Sequence, residues 1–123
     1  MSKMYEITVK GSFCGAHSLR YYRGKCEALH GHNWGVEVTV YGKSLDKTGM
    51  LMDFTVLKAR LGKIIAALDH KHLNEVAFFK KQNPTSENIA RYIHARLSPL
   101  IKKKMKVCVE ETDSSRASYT AGP

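Results

Sequence analysis

Alternating apolar and polar residues occupy three segments of the sequence, with two helical stripes between the second and the third. Strict alternation predicts half-buried strands, because successive side chains of a strand point to opposite faces of the sheet. The three segments are residues 4–10, 34–41 and 105–111. A further short strand is predicted around Ala117–Thr120. This arrangement restricts the chain to a mixed fold of strands and helices.

Two helices are predicted from apolar residues at helical spacing. Asp53 and Thr85 precede the two stripes and are suitable N-cap residues. Pro99 lies inside the second stripe and is expected to kink or end that helix.

The predicted order is therefore β-β-α-α-β-β, an α+β fold with a four-stranded antiparallel sheet and two helices on one face. The chain has 123 residues, which predicts one domain spanning 1–123. The exposed sheet edges would need a partner subunit.

Charge and hydropathy narrow the class of protein. The chain has 20 Lys and Arg against 11 Asp and Glu, a net charge of +9. This charge is typical of a protein that binds nucleic acid, of one that binds a small polyanion such as a triphosphate, or of one whose charges only keep its surface solvated. No apolar run approaches the ~20 residues of a membrane span, and the N-terminus has no signal-peptide core. We therefore expect a cytoplasmic protein with no membrane partner. Its cysteines, interpreted as free thiols, are Cys14, Cys26 and Cys108.

Three histidines lie near the ends of the first two predicted strands. His30 and His32 are two residues apart, so both side chains point to one side of the second strand. His17 follows the first strand, which should pair with the second. Three imidazoles at adjacent strand ends can form an open zinc site that leaves a coordination position for substrate. A surface His-x-His pair without metal is the alternative.

Cys26 lies four residues before His30, and positive charge near a zinc site would lower the pKa of its thiol. It could act as a base or nucleophile, serve as a fourth zinc ligand, or be inert. Cys14 and Cys108 lie within strand patterns and are interpreted as small core residues.

Further ionisable residues follow the first predicted helix and the third predicted strand. Asp69 could raise the basicity of His70, with His72 as an alternative base, although cations also favour helix C-termini. Glu111 shares the parity of the inward-facing valines of its strand, and a buried carboxylate needs a partner. That partner could be a lysine, or the two-donor edge of a pterin or guanine. Thr85 and Glu87 are interpreted first as helix-start residues.

An ordered set of short motifs resembles the 6-pyruvoyltetrahydropterin synthase family over nearly the whole chain. The motifs are Cys26-Glu-Ala-Leu-His30-Gly-His32-Asn33, Gly49-Met50-Leu-Met-Asp53-Phe54, Leu68-Asp-His-Lys-His-Leu-Asn74, Pro84-Thr-Ser-Glu-Asn88 and Glu111-Thr112. The short gap between Cys26 and His30 is similar to that of the bacterial branch, the 6-carboxytetrahydropterin synthases of queuosine biosynthesis. The resemblance implies the tunnelling fold, with a β-barrel trimer and two stacked trimers forming a homohexamer.

The resemblance also implies a role for each motif. Zinc would be bound by His17, His30 and His32. Cys26 would accept a proton, with Asp69, His70 and Glu111 completing the relay. Glu111 would also anchor the pterin, close to the segment formed by Thr85, Ser86 and Glu87. Cys14 departs from the small residue that family members often have at this position.

The implied reaction converts 7,8-dihydroneopterin triphosphate to 6-carboxy-5,6,7,8-tetrahydropterin, with release of triphosphate and acetaldehyde. No nucleic acid partner is expected. Three alternatives remain. The chain could be a 6-pyruvoyltetrahydropterin synthase acting on the same substrate. It could be a dihydroneopterin epimerase or aldolase of the same fold, enzymes that generally work without zinc. From a different class, it could be a zinc-stabilised basic RNA-binding module, which would be expected to expose aromatic side chains among its basic residues.

Overall fold

Seven regular elements and two short 3-10 turns make up the computed structural model, which describes residues 3–24 and 27–122. The strands are β1 (Tyr5–His17), β2 (His30–Gly42), β3 (Lys71–His72), β4 (Met105–Thr112) and β5 (Ser115–Ala121). The helices are α1 (Phe54–Ala66) and α2 (Ser86–Ile101), and the 3-10 turns are Leu73–Glu75 and Ala77–Phe79. The predicted α+β class is confirmed.

The sheet has five strands in the order β3-β1-β2-β4-β5. The predicted four-stranded antiparallel sheet is therefore wrong by one strand, because β3 joins the outer edge of β1 in parallel orientation. β3 has only two residues, too few for alternation to show, and lies between the two helices in sequence. It places the segment after α1 directly beside the end of β1.

The first two strands are each 13 residues long, longer than their clearest alternation. Glycine occupies inward positions of β1, which hides the apolar phase in the sequence. At Gly11 a Cβ atom would lie 2.7 Å from the side chain of Ile65 on α1, so the close packing of α1 requires glycine there. β1 and β2 pair in antiparallel register along their whole length, and His17 lies opposite His30.

Both helices pack on one face of the sheet, as predicted. The core joins inward side chains of the three central strands, such as Trp34 and Val109, to apolar residues of α1 and α2, such as Leu61 and Ile93. Pro99 lies inside α2 and does not end it, since the helix continues to Ile101. Within the described residues, no helix is long and apolar enough to cross a membrane.

Candidate active site

Strand register brings three imidazoles together at one end of the sheet, and we call His17, His30 and His32 the histidine cluster. His17 and His30 are directly opposed residues of β1 and β2, and His32 is the next residue on the same face of β2. One ring nitrogen of each histidine lies within 4.8 Å of the others. The structure therefore brings together the three predicted metal ligands.

Backbone carbonyls determine which nitrogen of two of these rings carries the proton. Nδ1 of His17 lies 2.7 Å from the carbonyl oxygen of Pro84, and Nδ1 of His30 lies 2.9 Å from that of Ala28. A carbonyl oxygen can only accept, so Nδ1 donates in both rings. Nε2 of each neutral ring is then left with a lone pair. Such outer hydrogen bonds are typical of histidines that bind a metal.

The ring nitrogens that face one another in the histidine cluster are better placed to bind a cation than to hydrogen-bond to each other. The two Nε2 atoms of His17 and His30 are 3.1 Å apart, and neither carries a proton in the neutral tautomer set by the carbonyls. Two lone pairs at this distance repel unless a positive charge lies between them. Nε2 of His32 is buried and has no hydrogen-bond partner among the described residues. A divalent cation bound by all three nitrogens would satisfy these atoms together.

The base of the histidine cluster is apolar and closed to water. The Trp34 ring lies against His17 and His32, with ring centroids 4.9 and 5.2 Å away, and its Nε1 donates to the Gly15 carbonyl. Burial lowers the pKa of His17, although the hydrogen bond to Pro84 opposes the shift. The neutral imidazole is the form that binds a metal, so the surroundings of His17 favour a ligand.

Glu111 lies beside the histidine cluster, on the side facing β4. Its Oε1 is 3.5 Å from Nε2 of His17 and 3.7 Å from Nε2 of His32. The predicted inward direction of this side chain is therefore observed, and it remains one-third exposed. Among the described residues, the ion-pair partners of Glu111 are these two histidines and not a lysine. The carboxylate is free to accept hydrogen bonds from a molecule above the cluster.

Asp69 and His70 lie at the edge of β1, immediately before β3. Oδ1 of Asp69 accepts a hydrogen bond from the backbone N–H of Cys14 at 2.9 Å and lies 3.1 Å from Nδ1 of His70. The hydrogen bond from the Cys14 N–H, together with the smaller effect of the His70 side chain, lowers the pKa of Asp69. His70 has a positive φ of 56° and donates its own N–H to the Cys14 carbonyl. The suggested side-chain pairing of Asp69 with His70 is observed.

The remaining predicted site residues are the segment at the start of α2 and Cys26. Thr85 caps α2 by accepting from the N–H of Asn88, as expected for a helix-start residue. Ser86 begins the helix, and Glu87 is exposed in its first turn. Pro84, directly before this segment, binds His17, so α2 begins next to the histidine cluster. Cys26 lies outside the described residues.

Two of the three cysteines can be placed, and one prediction about them is wrong. Cys108 is buried, as expected for a core residue of a strand. Cys14 is exposed, because it lies on the opposite face of β1 from Phe13 and His17. Its thiol donates to Oδ1 of Asn33, the residue opposite it on β2, at 3.0 Å. The phase of the alternation in β1 was the available signal, since even-numbered positions of this strand point outward.

Side-chain amides that sequence reasoning missed hold the chain just after His17. Asn74 accepts from the N–H of Ser18 and donates to its carbonyl, at 2.9 and 2.8 Å. Asn83 makes the same reciprocal pair with Arg20, at 2.8 and 3.0 Å. Each side-chain amide supplies the hydrogen-bond acceptor and donor that a neighbouring strand would otherwise provide to this stretch of backbone. The sequence signal for this role is that each asparagine lies in a segment without helical or strand periodicity.

A cleft of about 560 Å³ is lined by one residue from each of the two groups of ionisable residues, His32 and His70. It is lined by parts of β1, β2 and β3 and by His70. His32 of the histidine cluster and Cys14 both contribute to its wall. The geometry thus combines a candidate metal site, a carboxylate–imidazole pair and space for a small molecule.

Comparison with known proteins assigns the family. The model of the family described as 6-pyruvoyl tetrahydropterin synthase matches residues 6–122. The chain belongs to this family. A relative from Synechocystis sp., named 6-carboxy-5,6,7,8-tetrahydropterin synthase, is 40% identical over 94% of this chain and 93% of its own length. A Pyrococcus furiosus relative, named dihydroneopterin monophosphate aldolase, is 38% identical over 75% of this chain and 74% of its own.

Solved structures confirm the fold of this 6-pyruvoyl tetrahydropterin synthase family member. The Caenorhabditis elegans 6-pyruvoyl tetrahydropterin synthase superposes with a TM-score of 0.83 and 27% identity, covering 98% of both chains. The predicted tunnelling fold of the subunit is therefore confirmed. The five-stranded sheet of this single chain is open, with β3 and β5 as its outer strands.

Proposed function

We propose that this protein converts 7,8-dihydroneopterin triphosphate to 6-carboxy-5,6,7,8-tetrahydropterin, with uptake of water and release of triphosphate and acetaldehyde. The observation that carries the proposal is the histidine cluster, whose His17 and His30 rings each direct a lone pair at the other. Membership of the family and the 40% identity to a relative named 6-carboxy-5,6,7,8-tetrahydropterin synthase support the reaction. The net charge of +9 suits attraction of a triphosphate.

Zinc is the proposed cofactor, held by Nε2 of His17 and His30 and by the buried nitrogen of His32. Three neutral imidazoles with no thiolate form the open type of zinc site, which leaves a position for substrate. The ion would supply Lewis acidity to the hydroxyl groups of the pterin side chain, making the adjacent C–H protons easier to remove. Trp34 excludes water from beneath the histidines and keeps their ring orientations fixed.

Proton transfer is assigned to Cys26 and to the Asp69–His70 pair. Cys26 is the proposed general base that removes a proton from the substrate side chain. Asp69 holds Nδ1 of His70, which leaves Nε2 of that exposed ring to take or give a proton in the cleft. His72 also lines the cleft, so it is the alternative base.

Substrate orientation is assigned to Glu111 and to the start of α2. The Glu111 carboxylate can accept two parallel hydrogen bonds from the amino group and ring N–H of a pterin. Its one-third exposure leaves it accessible beside the cluster. Thr85, Ser86 and Glu87 are proposed to contact the pterin from the first turn of α2, next to the Pro84 that binds His17.

Mass analysis of products tests the proposal directly. Zinc-loaded protein is incubated with dihydroneopterin triphosphate, and acetaldehyde is followed by a coupled alcohol dehydrogenase assay. We expect the 6-carboxy pterin, triphosphate and acetaldehyde in equal amounts. Triphosphate release without acetaldehyde would contradict the carboxy product and indicate a 6-pyruvoyl pterin that keeps all three side-chain carbons.

A second candidate is aldolase activity, favoured by the 38% identity to the Pyrococcus furiosus protein with that name. An aldolase would break the side-chain carbon–carbon bond without eliminating phosphate. The same mass analysis distinguishes the two, because the aldolase product would appear without free triphosphate. Dihydroneopterin monophosphate is the substrate to include in the comparison.

A further inference from the structure

A second group of metal-binding side chains lies on the other face of β1 from the histidine cluster, and we call Cys14, Asp69 and His70 the thiol cluster. Each offers one ligand atom, and these atoms lie within 4.8 Å of one another. The cluster includes none of the residues of the histidine cluster.

The backbone already holds two of these residues against the third. The N–H of Cys14 donates to Oδ1 of Asp69 at 2.9 Å, and the N–H of His70 donates to the Cys14 carbonyl at 2.6 Å. Asp69 and His70 are thereby fixed at the edge of β1. Little backbone ordering remains to be done when a ligand binds these side chains, which lowers the entropic cost of binding.

The side chains can reach a common ion with small rotations. Zinc binds sulfur at about 2.3 Å and nitrogen or oxygen at about 2.0–2.2 Å, and three ligand atoms within 4.8 Å of one another can reach these distances from one ion. The His70 side chain is 79% exposed and the Asp69 side chain 40% exposed, so neither is held by core packing. The thiol of Cys14 would exchange its hydrogen bond to Asn33 for the metal, losing its proton.

We propose that the thiol cluster binds a second thiophilic divalent cation, of which zinc is the biological example. A thiolate, an imidazole and a carboxylate form a donor set that zinc accepts in tetrahedral sites, with water in the fourth position. This set is softer than three imidazoles, and it selects cadmium and zinc over magnesium or calcium. Occupancy would take Asp69 and His70 away from the proton transfer proposed above, although the binding itself does not depend on that function.

The test is a cadmium titration of the full-length, reduced protein, followed by the ultraviolet charge-transfer band between thiolate and cadmium. We expect about two equivalents to bind, one at each cluster, with the band arising from the thiol cluster. Cys14→Ser should lose the band and about one equivalent of metal. Cys26→Ser and Cys108→Ser are matched controls and should keep the band.

A second variant separates the two clusters and keeps the proposal falsifiable. His32→Ala weakens the histidine cluster and should leave the charge-transfer band unchanged. A band that survives in Cys14→Ser, or that disappears in Cys26→Ser, would overturn the assignment of the thiol. Binding of a single equivalent without any thiolate band would also overturn it. None of these readouts requires pterin, so a negative product assay would not affect the result.

Discussion

At the scale of single residues, the histidine cluster is arranged for metal binding by backbone carbonyls that would not themselves bind the metal. The Pro84 and Ala28 carbonyls fix Nδ1 of His17 and His30 as donors, and the lone pairs of the two Nε2 atoms then face each other. This arrangement stores repulsion that a cation relieves. Metal binding and stability should therefore be linked, because a ligand that binds only the folded state stabilises it.

Replacing His32 with alanine tests the metal site. We expect His32→Ala to bind about one zinc per chain fewer than the parent, because two imidazoles cannot complete an open site. The fold should persist, since the strands that carry the cluster are paired along their length. Metal analysis and circular dichroism measure the two effects. His72→Ala, outside the cluster, should keep its zinc; unfolding of His32→Ala would indicate a structural metal.

Replacing Cys26 with alanine tests the proposed base. Turnover should fall by ~10²–10⁴-fold or more, the effect typical of losing a general base, while zinc content and pterin affinity stay near those of the parent. Steady-state kinetics and equilibrium pterin binding separate these quantities. Loss of zinc from Cys26→Ala would show instead that this cysteine is a metal ligand.

The residues of the histidine cluster were predictable because strand alternation and the His-x-His spacing place them on one face. The exposed position of Cys14 is equally encoded in the phase of β1, and the prediction of a core residue there is wrong. The carbonyls of Pro84 and Ala28 were not predictable in this way. Backbone acceptors carry no residue-type signal, and their positions depend on the tertiary fold.

At the scale of elements, α2 couples the core to the site. Its apolar face packs on the sheet, and the residue before its N-cap binds His17. The position of Pro84 therefore depends on how firmly the first turn is held. β3, which consists of Lys71 and His72, also positions site residues, because its pairing with β1 places both beside that strand. β3 could not be predicted, because two residues show no periodicity.

Removing the cap of α2 should weaken both stability and metal binding. Thr85→Ala leaves the N–H of Asn88 without its acceptor, and loss of an N-cap costs about 1 kcal/mol. Thermal unfolding measures this cost, and competition with a chelator measures zinc affinity. Thr85→Ser keeps a hydroxyl and should restore both. If Thr85→Ser is stable but its KM for the pterin is raised, the threonine methyl group contacts substrate.

The connection between β2 and α1 should make stability depend on acidity. Asp46 accepts from the side chain and N–H of Thr48 and from the N–H of Met50, and these bonds, led by the Thr48 side chain, lower its pKa from 3.8. A lowered folded pKa contributes stability that is present above pH 3.8 and is lost as pH falls through the folded value.

Asp46→Ala should therefore melt at a lower temperature than the parent at neutral pH, and the difference should shrink below pH 3.8. Thermal unfolding across this range measures the gap. Asp113→Ala removes an exposed carboxylate in the turn between β4 and β5 and is the control. A gap for Asp46→Ala that stays constant with pH would assign the loss to packing rather than to the carboxylate.

At the scale of the whole molecule, the open sheet leaves its outer strands available for pairing. β5 is seven residues long and forms one edge, while β3 at the other edge is only two residues long. An exposed edge strand as long as β5 presents unpaired backbone N–H and C=O groups that a second chain can satisfy. We propose that the protein is a homo-oligomer, a hexamer made of two stacked trimers, with each site shared between chains.

Mixing inactive subunits tests both the assembly and the shared site. The protein should sediment as a trimer or hexamer, with no active monomer. Cys26→Ala and His70→Ala should each be inactive alone, and subunit exchange between them should restore part of the activity. Restoration follows because some sites in a mixed assembly receive an intact Cys26 from one chain and an intact His70 from its neighbour. Exchange can be verified by mass spectrometry of differently tagged chains, and proven exchange without recovered activity would place both residues of each site in a single chain.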